Sequence, residues 1–442
     1  MKFLKPIALI IFVFLITVSC SENETTTVEP PVNKGEQEEP AEPVSVIYFT
    51  LTVDASTNTK ETEDWIIIHN DTGEILDFKS YEAGDVLTFE SLETEVTNKI
   101  TVSHLRRILN LTEDGYFIQT YTDIDNGSNW KFTEGTAINL TPSIGTFDIN
   151  ITNIPSRSTK IPHAVSSLEH IPYQFVYAGS LINSSYVDFR INNIDLRTET
   201  DIIVSIMDDN FDMKYRFVND VKVGDAYNFD YSEFMAFDSS LIIDLPATTK
   251  TLVYDVFTIN ENTLRKGYHL NSYGYWSYGI PDKIKLGYLN KFNNYLSDII
   301  LTFDKTQYRY ISIGPKPESL IIREDLFFTP ENSSIFEFTF TTNVDTIIRK
   351  NNSWYTSTGK HNIDFAYLRW SITSPGHDYP VIGEIPDELK KMYPAMKIND
   401  LKYDYSTIQI KSIPYQEWIT KWYVDYDSSF TKTEREEYVF LE

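Results

Sequence analysis

From about residue 45 onward the chain is written in short apolar runs separated by Asn, Asp, Gly or Pro. "VIYFTLTV", "DWIIIH", "DVLTFE", "KITVSHL", "YFIQTYT", "TFDINIT", "YVDFRIN", "DIIVSIM", "LIIDLP" and "LVYDVFTI" are rich in β-branched and aromatic residues, the composition of half-buried strands. Several alternate: Phe49, Leu51 and Val53 are interleaved with Thr50 and Thr52, which suits a sheet with one wet face. The same texture continues in "DIILTFD", "YRYISIG", "SLIIRED", "IFEFTFTT", "FAYLRWSIT" and "WYVDYD". Helical periodicity is scarce. Residues 385–396, "IPDELKKMYPAM", form the best helix candidate, with Pro386 at its start and Pro394 at its end. The pattern predicts a mostly β protein built from tandem β-sandwiches.

An internal echo divides the chain. "ETEDWIII" (61–68) has a counterpart in "ETDIIV" (199–204), and "GDVLTF" (84–89) in "GDAYNF" (224–229). Both copies of the second block read Gly-Asp-x-x-x-Phe, a tight turn feeding a strand. Two domains of one type are expected, residues 45–152 and 168–278. Residues 153–167, polar and carrying two prolines, read as the linker between them. A weaker break at 279–287 precedes a β-rich C-terminal domain, 286–442.

The first copy, "WIIIHNDTGEILDFKSYEAGDVLTF", resembles the carboxypeptidase-regulatory-like or transthyretin-like sandwich family, through Asp71 and Gly73 of a hairpin and the Gly84-Asp85 turn. That resemblance implies Ig-like or transthyretin-like sandwiches acting as accessories for adhesion, spacing or docking. The second copy lacks the Asp-x-Gly hairpin.

The first forty-four residues have another grammar. Lys2 and Lys5 precede an apolar stretch from Ile7 to Leu15, too short for a spanning helix, which needs about 20 apolar residues. Thr17-Val18-Ser19-Cys20 then resembles a bacterial lipobox, with Thr17 in the usual leucine position, and holds the single cysteine. Residues 1–19 read as a lipoprotein signal peptide and Cys20 as the acylated residue. Ser21 to Val44, with seven glutamates, four prolines and no aromatic residue, cannot bury enough apolar surface to offset its ordering entropy, so 20–44 reads as a disordered acidic tether. The segment is similar to the leader of Bacteroidetes-type surface lipoproteins, which implies a lipid-anchored place on the outer membrane, at the cell surface. With no second cysteine, no disulfide can staple the chain.

Charge narrows the partners. The chain has 64 acidic and 38 basic residues, a formal charge of −26, unsuited to a nucleic-acid partner that needs clustered lysine and arginine. No Gly-x-Ser-x-Gly elbow, Walker glycine pattern or His-x-x-x-His pair is present, so no catalytic residue is assigned. "TDIDNGSNW" is the one loop with a metal flavour: Asp123, Asp125 and Asn126 bring together oxygens that would suit calcium. An Asn126-Gly127 hairpin turn accounts for the same residues without metal. Aromatics make up 14% of the chain and are densest in "GYHLNSYGYWSYG", where Tyr268, Tyr273, Tyr275, Trp276 and Tyr278 form a candidate stacking platform for a glycan. Inward packing of the same tyrosines is the plainer expectation. The whole then reads as a non-catalytic surface lipoprotein that binds or presents a ligand, a glycan or an envelope protein, similar in layout to glycan-binding lipoproteins of the starch-utilisation type. The alternatives are an envelope-polymer hydrolase with unidentified acidic residues and a purely structural envelope component.

Overall fold

The computed structural model describes residues 45–57, 59–92, 97–109, 113–133, 141–168, 176–183, 185–259, 267–274, 279–360, 365–425 and 434–442. The fold is mostly β, as the alternation predicts. Strands β1 (Ser45–Val53), β2 (Thr62–Asn70), β3 (Ile75–Tyr81), β4 (Val86–Leu92), β5 (Lys99–Leu109), β6 (Glu113–Asp125) and β7 (Ser128–Phe132) build a first sandwich. Its outer sheet runs β4-β1-β7. Phe49, Leu51 and Val53 of β1 enter a core shared with Ile66, Ile68, Val102 and Trp130, whereas Thr52 is exposed. Alternation in the sequence has become a wet face and a dry face.

The second sandwich holds β8 (Gly145–Pro155), β9 (His163–Ser167), β10 (Val176–Leu181), β11 (Tyr186–Leu196), β12 (Thr200–Met207), β13 (Met213–Val221), β14 (Ala226–Asp230) and β15 (Met235–Ala236). Its sheets, β10-β11-β8-β14 and β15-β13-β12-β9, enclose Ile149, Ile151, Phe189, Val204 and Ile206. "TFDINIT" therefore belongs to the second core and not the first. The segment expected as a linker, 153–167, carries the end of β8 and all of β9, which pairs with β12.

The remaining strands are β16 (Ser239–Asp244), β17 (Thr251–Thr258), β18 (His269–Tyr273), β19 (Lys283–Tyr288), β20 (Tyr295–Thr302), β21 (Thr306–Gly314), β22 (Phe328–Asn332), β23 (Thr339–Thr342), β24 (Arg349–Thr358), β25 (Phe365–Pro375), β26 (Lys402–Lys411) and β27 (Arg435–Leu441). Two short helices, α1 (Asp387–Met392) and α2 (Tyr415–Ile419), join them, and α2 continues into a π-helical turn over Thr420–Val424. One twelve-stranded sheet, β18-β17-β20-β21-β27-β26-β24-β25-β6-β5-β2-β3, runs from the C-terminal part into the first sandwich. The junction is the parallel pair β25–β6, where Leu368 faces Tyr116 and Trp370 faces Ile118. Hence β2 is buried on both faces: Ile66 and Ile68 enter the first core, and Ile67 enters the large C-terminal core. Leu241, Ile243, Leu252, Tyr254, Val256, Leu270 and Tyr273 also enter that core, where they meet Ile203, Met207, Met213 and Tyr215 of the second sandwich, and Val44–Glu442 form one compact unit.

The repeat survives at the level of turns. Gly84 (φ +91°) and Gly224 (φ +84°) both take the left-handed conformation that glycine tolerates. The Asp85 carboxylate accepts the Glu82 N–H at 2.7 Å, and the Asp225 carboxylate accepts the Lys222 N–H at 2.8 Å. Phe89 and Phe229, at matching offsets, are both buried. The pairing beyond the turn differs: β4 lies antiparallel to β1, whereas β14 lies parallel to β8. The two copies share a hairpin and a turn but not a complete topology.

Candidate functional site

The aromatic loop does not present its described rings as a platform. Tyr273 is 2% exposed, stacks on Tyr254 (centroids 5.5 Å, 9°) and donates its hydroxyl to the Gly279 carbonyl. It is a core residue. Tyr268 is half-buried, edge-on to Phe217 at 5.4 Å and against Phe292. Tyr275, Trp276 and Tyr278 lie outside the described residues, as does Cys20.

At the proposed calcium loop an ammonium sits between the carboxylates. Lys99 Nζ lies 2.7 Å from Asp125 Oδ1 and 3.6 Å from Asp123 Oδ1, while Gln416 Nε2 donates to Asp123 Oδ2 at 3.0 Å. Among the described residues no group of three or more His, Cys, Asp or Glu is arranged to hold a metal. The Asn126-Gly127 turn is not a hairpin either. It carries the chain from β6 in the long sheet to β7, which pairs in parallel with β1 of the outer sheet. Gly127 (φ +82°) lets its N–H reach the Tyr48 carbonyl at 2.8 Å.

A larger site lies where the sequence held only another strand. "IFEFTFTT" was expected to be strand throughout, but the ladder covers only β23, paired with β22. The stretch from Phe336 to Thr342 forms one wall of a groove of about 820 Å³, and His377, Asp378, Tyr379, Pro380 and Val381 form the other. That second wall is a ridge shared with another depression of about 400 Å³, lined also by Lys99, Asp123 and Ser374. On the opposite side Phe336 is shared with a depression of about 490 Å³ beside Lys390 and Met396. The three depressions thus adjoin through common walls.

The ridge is held from beneath. Lys350, fully buried on β24, donates to the carbonyls of Gly376 at 2.7 Å, Asp378 at 2.6 Å and Pro375 at 3.3 Å. Burial pushes its ammonium down to about 8, opposed by the Asp378 carboxylate. Tyr379 donates its hydroxyl to the Ile335 carbonyl at 2.6 Å, tying the two walls together. Downstream, Gly383 packs so closely on the β2–β3 turn that a Cβ would come within 2.1 Å of His69 Cδ2 and 2.5 Å of the Gly73 carbonyl oxygen. Lys350→Met should leave three carbonyls without their donor, and amide exchange at residues 376–379 should then quicken by about tenfold or more. Unchanged protection there would show that Lys350 does not hold the ridge.

The rings of the groove are largely engaged with each other. Phe338 is buried against Tyr403 and Trp354, and Phe340 stacks on Phe328 at 4.4 Å. Phe336 is 37% exposed and Val381 57%, so the rim offers apolar surface to solvent. Glu337 and Asp378 give it negative charge. The alternation of Phe336, Phe338 and Phe340 with Glu337, Thr339 and Thr341 was legible, but nothing in the sequence marked 376–381 as its opposite wall.

A separate cleft of about 550 Å³ borders Asp64, Trp65, Tyr81 and Tyr393. Asp64, whose side chain has no exposed surface, is bound by Arg106, His104 and Thr62. Its carboxylate is locked in a closed network and offers no free oxygen to a substrate. Compared with known proteins, the chain matches no family model and no curated relative.

Proposed function

We propose that this chain is a non-catalytic binding protein, anchored through acylated Cys20 to the outer membrane and displayed at the cell surface, whose ligand sits between β23 and the 376–381 ridge. The observation that carries this is the groove itself: about 820 Å³, within the size range of ligand sites, with exposed Phe336 and Val381 at its rim and two further depressions continuing it. Concave sites that combine apolar side chains with a few polar groups are where ligands bind. The acidic rim, on a chain of formal charge −26, disfavours polyanions and leaves neutral or basic ligands. An envelope glycan and an envelope protein are the two sources the sequence suggests.

The test is binding of residues 44–442 to a glycan array and a peptide array, with Phe336→Ala alongside. The exposed ring should act as an anchor, so the variant should bind about tenfold or more weakly with little change in melting temperature. Binding that is indifferent to both Phe336→Ala and Val381→Asp would overturn the assignment. For the anchor, Cys20→Ala should leave the membrane fraction. Its recovery there at the parent level would refute acylation.

A further inference from the structure

Resting on the reading of this groove as the binding site, we infer that its ligand is an extended, basic peptide segment of a partner protein that adds a strand to the open edge of β23. The two-stranded sheet β22-β23 has no third strand among the described residues. The groove runs along β23: all of its residues, Thr339 to Thr342, line it, which side chains pointing to one face alone would not do, since successive residues of a strand point to opposite faces. A strand's worth of backbone amides and carbonyls therefore borders the groove.

Proteins usually blunt such an edge with lysine, proline or a bulge. Strand β22 carries both Pro330 and a register irregularity between Pro330 and Asn332. Strand β23 reads Thr339-Phe340-Thr341-Thr342, without charge or proline. It is high in β-propensity and borders the groove, with no strand paired to its second edge among the described residues. At about 3.3 Å per residue, the four residues of β23 match a guest of about five to seven residues with overhang. The guest's alternate side chains would meet Phe336, Phe340 and Val381 on one side. Glu337 and Asp378 would favour lysine or arginine on the other, and His377 is the only basic residue in the lining.

The same rings argue against a sugar platform. Phe338 is buried, one face of Phe340 is covered by Phe328, and Phe336 meets Trp370 edge-on at 5.9 Å, 88°.

The experiment uses residues 44–442 and an array of heptapeptides alternating valine or isoleucine with threonine, lysine or arginine, with a glycan array in parallel. The best-binding heptapeptide is then made in two forms, N-methylated at odd or at even residues. Strand addition requires one form to lose about tenfold or more in affinity, because its methylated amides face β23, while the other retains most of it. Amide exchange at 339–342 should slow on binding, and Thr341→Lys should weaken the basic peptide without lowering the melting temperature. Equal tolerance of both methylated forms would overturn the inference, as would failure of every heptapeptide. If the glycan array instead gives binding that Phe336→Ala abolishes, the groove stands and the ligand class is wrong. If no binding of either kind responds to Phe336→Ala, both readings fall.

Discussion

Tyr423→Ala is expected to destabilise the protein by about 3–5 kcal/mol, the cost of emptying a large aromatic from a core. Tyr423 lies in the π-helical turn after α2, yet its ring is buried in the first sandwich. It stacks on Trp130 at 4.0 Å and 7° and meets Tyr121 edge-on at 5.2 Å. Ile419 and Tyr415, about one and two turns earlier, fill the same core. The Tyr415 hydroxyl donates to the Thr122 carbonyl at 2.9 Å, and the Arg349 guanidinium sits 3.7 Å above Trp418. A segment near the end of the chain thus closes a core built by its beginning. Because residues 44–442 form one unit, the loss should lower a single melting transition and not detach one domain. Tyr423→Phe keeps the stack and should cost far less. A Tyr423→Ala variant within about 1 kcal/mol of the parent, well below the usual core truncation, would show that the plug is dispensable.

That helix also shows where sequence reading stopped. "WYVDYD" looked like a strand because tryptophan, tyrosine and valine favour strands. The decisive signal was spacing: Tyr415, Ile419 and Tyr423 recur every fourth residue, a helical stripe, behind Pro414 at the position preceding the helix. "SLIIRED" failed differently. Its apolar residues are real, but 319–325 forms no ladder, since a strand needs a partner that composition cannot specify. By contrast β1, β2 and β4–β6 were legible as short runs rich in β-branched and aromatic residues, and the Gly-Asp turns from their residues alone. Sheet order was not. The β25–β6, β1–β7 and β14–β8 pairs are parallel and join segments far apart in the chain, so no local pattern announces them. The groove inherits that limit. Its β23 wall was visible as a run of phenylalanines, but the ridge opposite is placed by Lys350 and by Gly383 against His69, contacts that only the folded chain creates.

Asp64→Asn is expected to cost about 3–5 kcal/mol at neutral pH, the usual result of removing one partner from a buried ion pair. Arg106 Nε lies 2.7 Å from Asp64 Oδ1, His104 Nε2 lies 2.8 Å from the same oxygen, and Thr62 donates to Oδ2 at 2.5 Å. Burial alone would raise the carboxylate, but the His104 and Thr62 hydrogen bonds and the Arg106 charge outweigh it and hold it at about 2. His104 is itself pushed below its ordinary range by burial, so at neutral pH Arg106 is the cation. The His104 Nε2 must carry its proton, because a bare nitrogen facing a carboxylate would be repelled. Tyr81 shares that nitrogen through its hydroxyl at 2.8 Å. A carboxylate depressed in the folded state stabilises above its unfolded value, 3.8, and that stability is lost as pH falls through about 2. The window is worth about 2–3 kcal/mol. His104, favoured neutral on folding, acts higher, with stability declining as pH drops below its ordinary value of 6.5. The two contributions therefore separate along a pH titration of stability. In Asp64→Asn the loss between about pH 4 and pH 2 should disappear, and the whole curve should lie lower at neutral pH. A variant with the parent's acid limb would show that Asp64 is not the group being titrated. One as stable as the parent at pH 7 would show that Arg106 finds enough water at its partly exposed end to do without its partner.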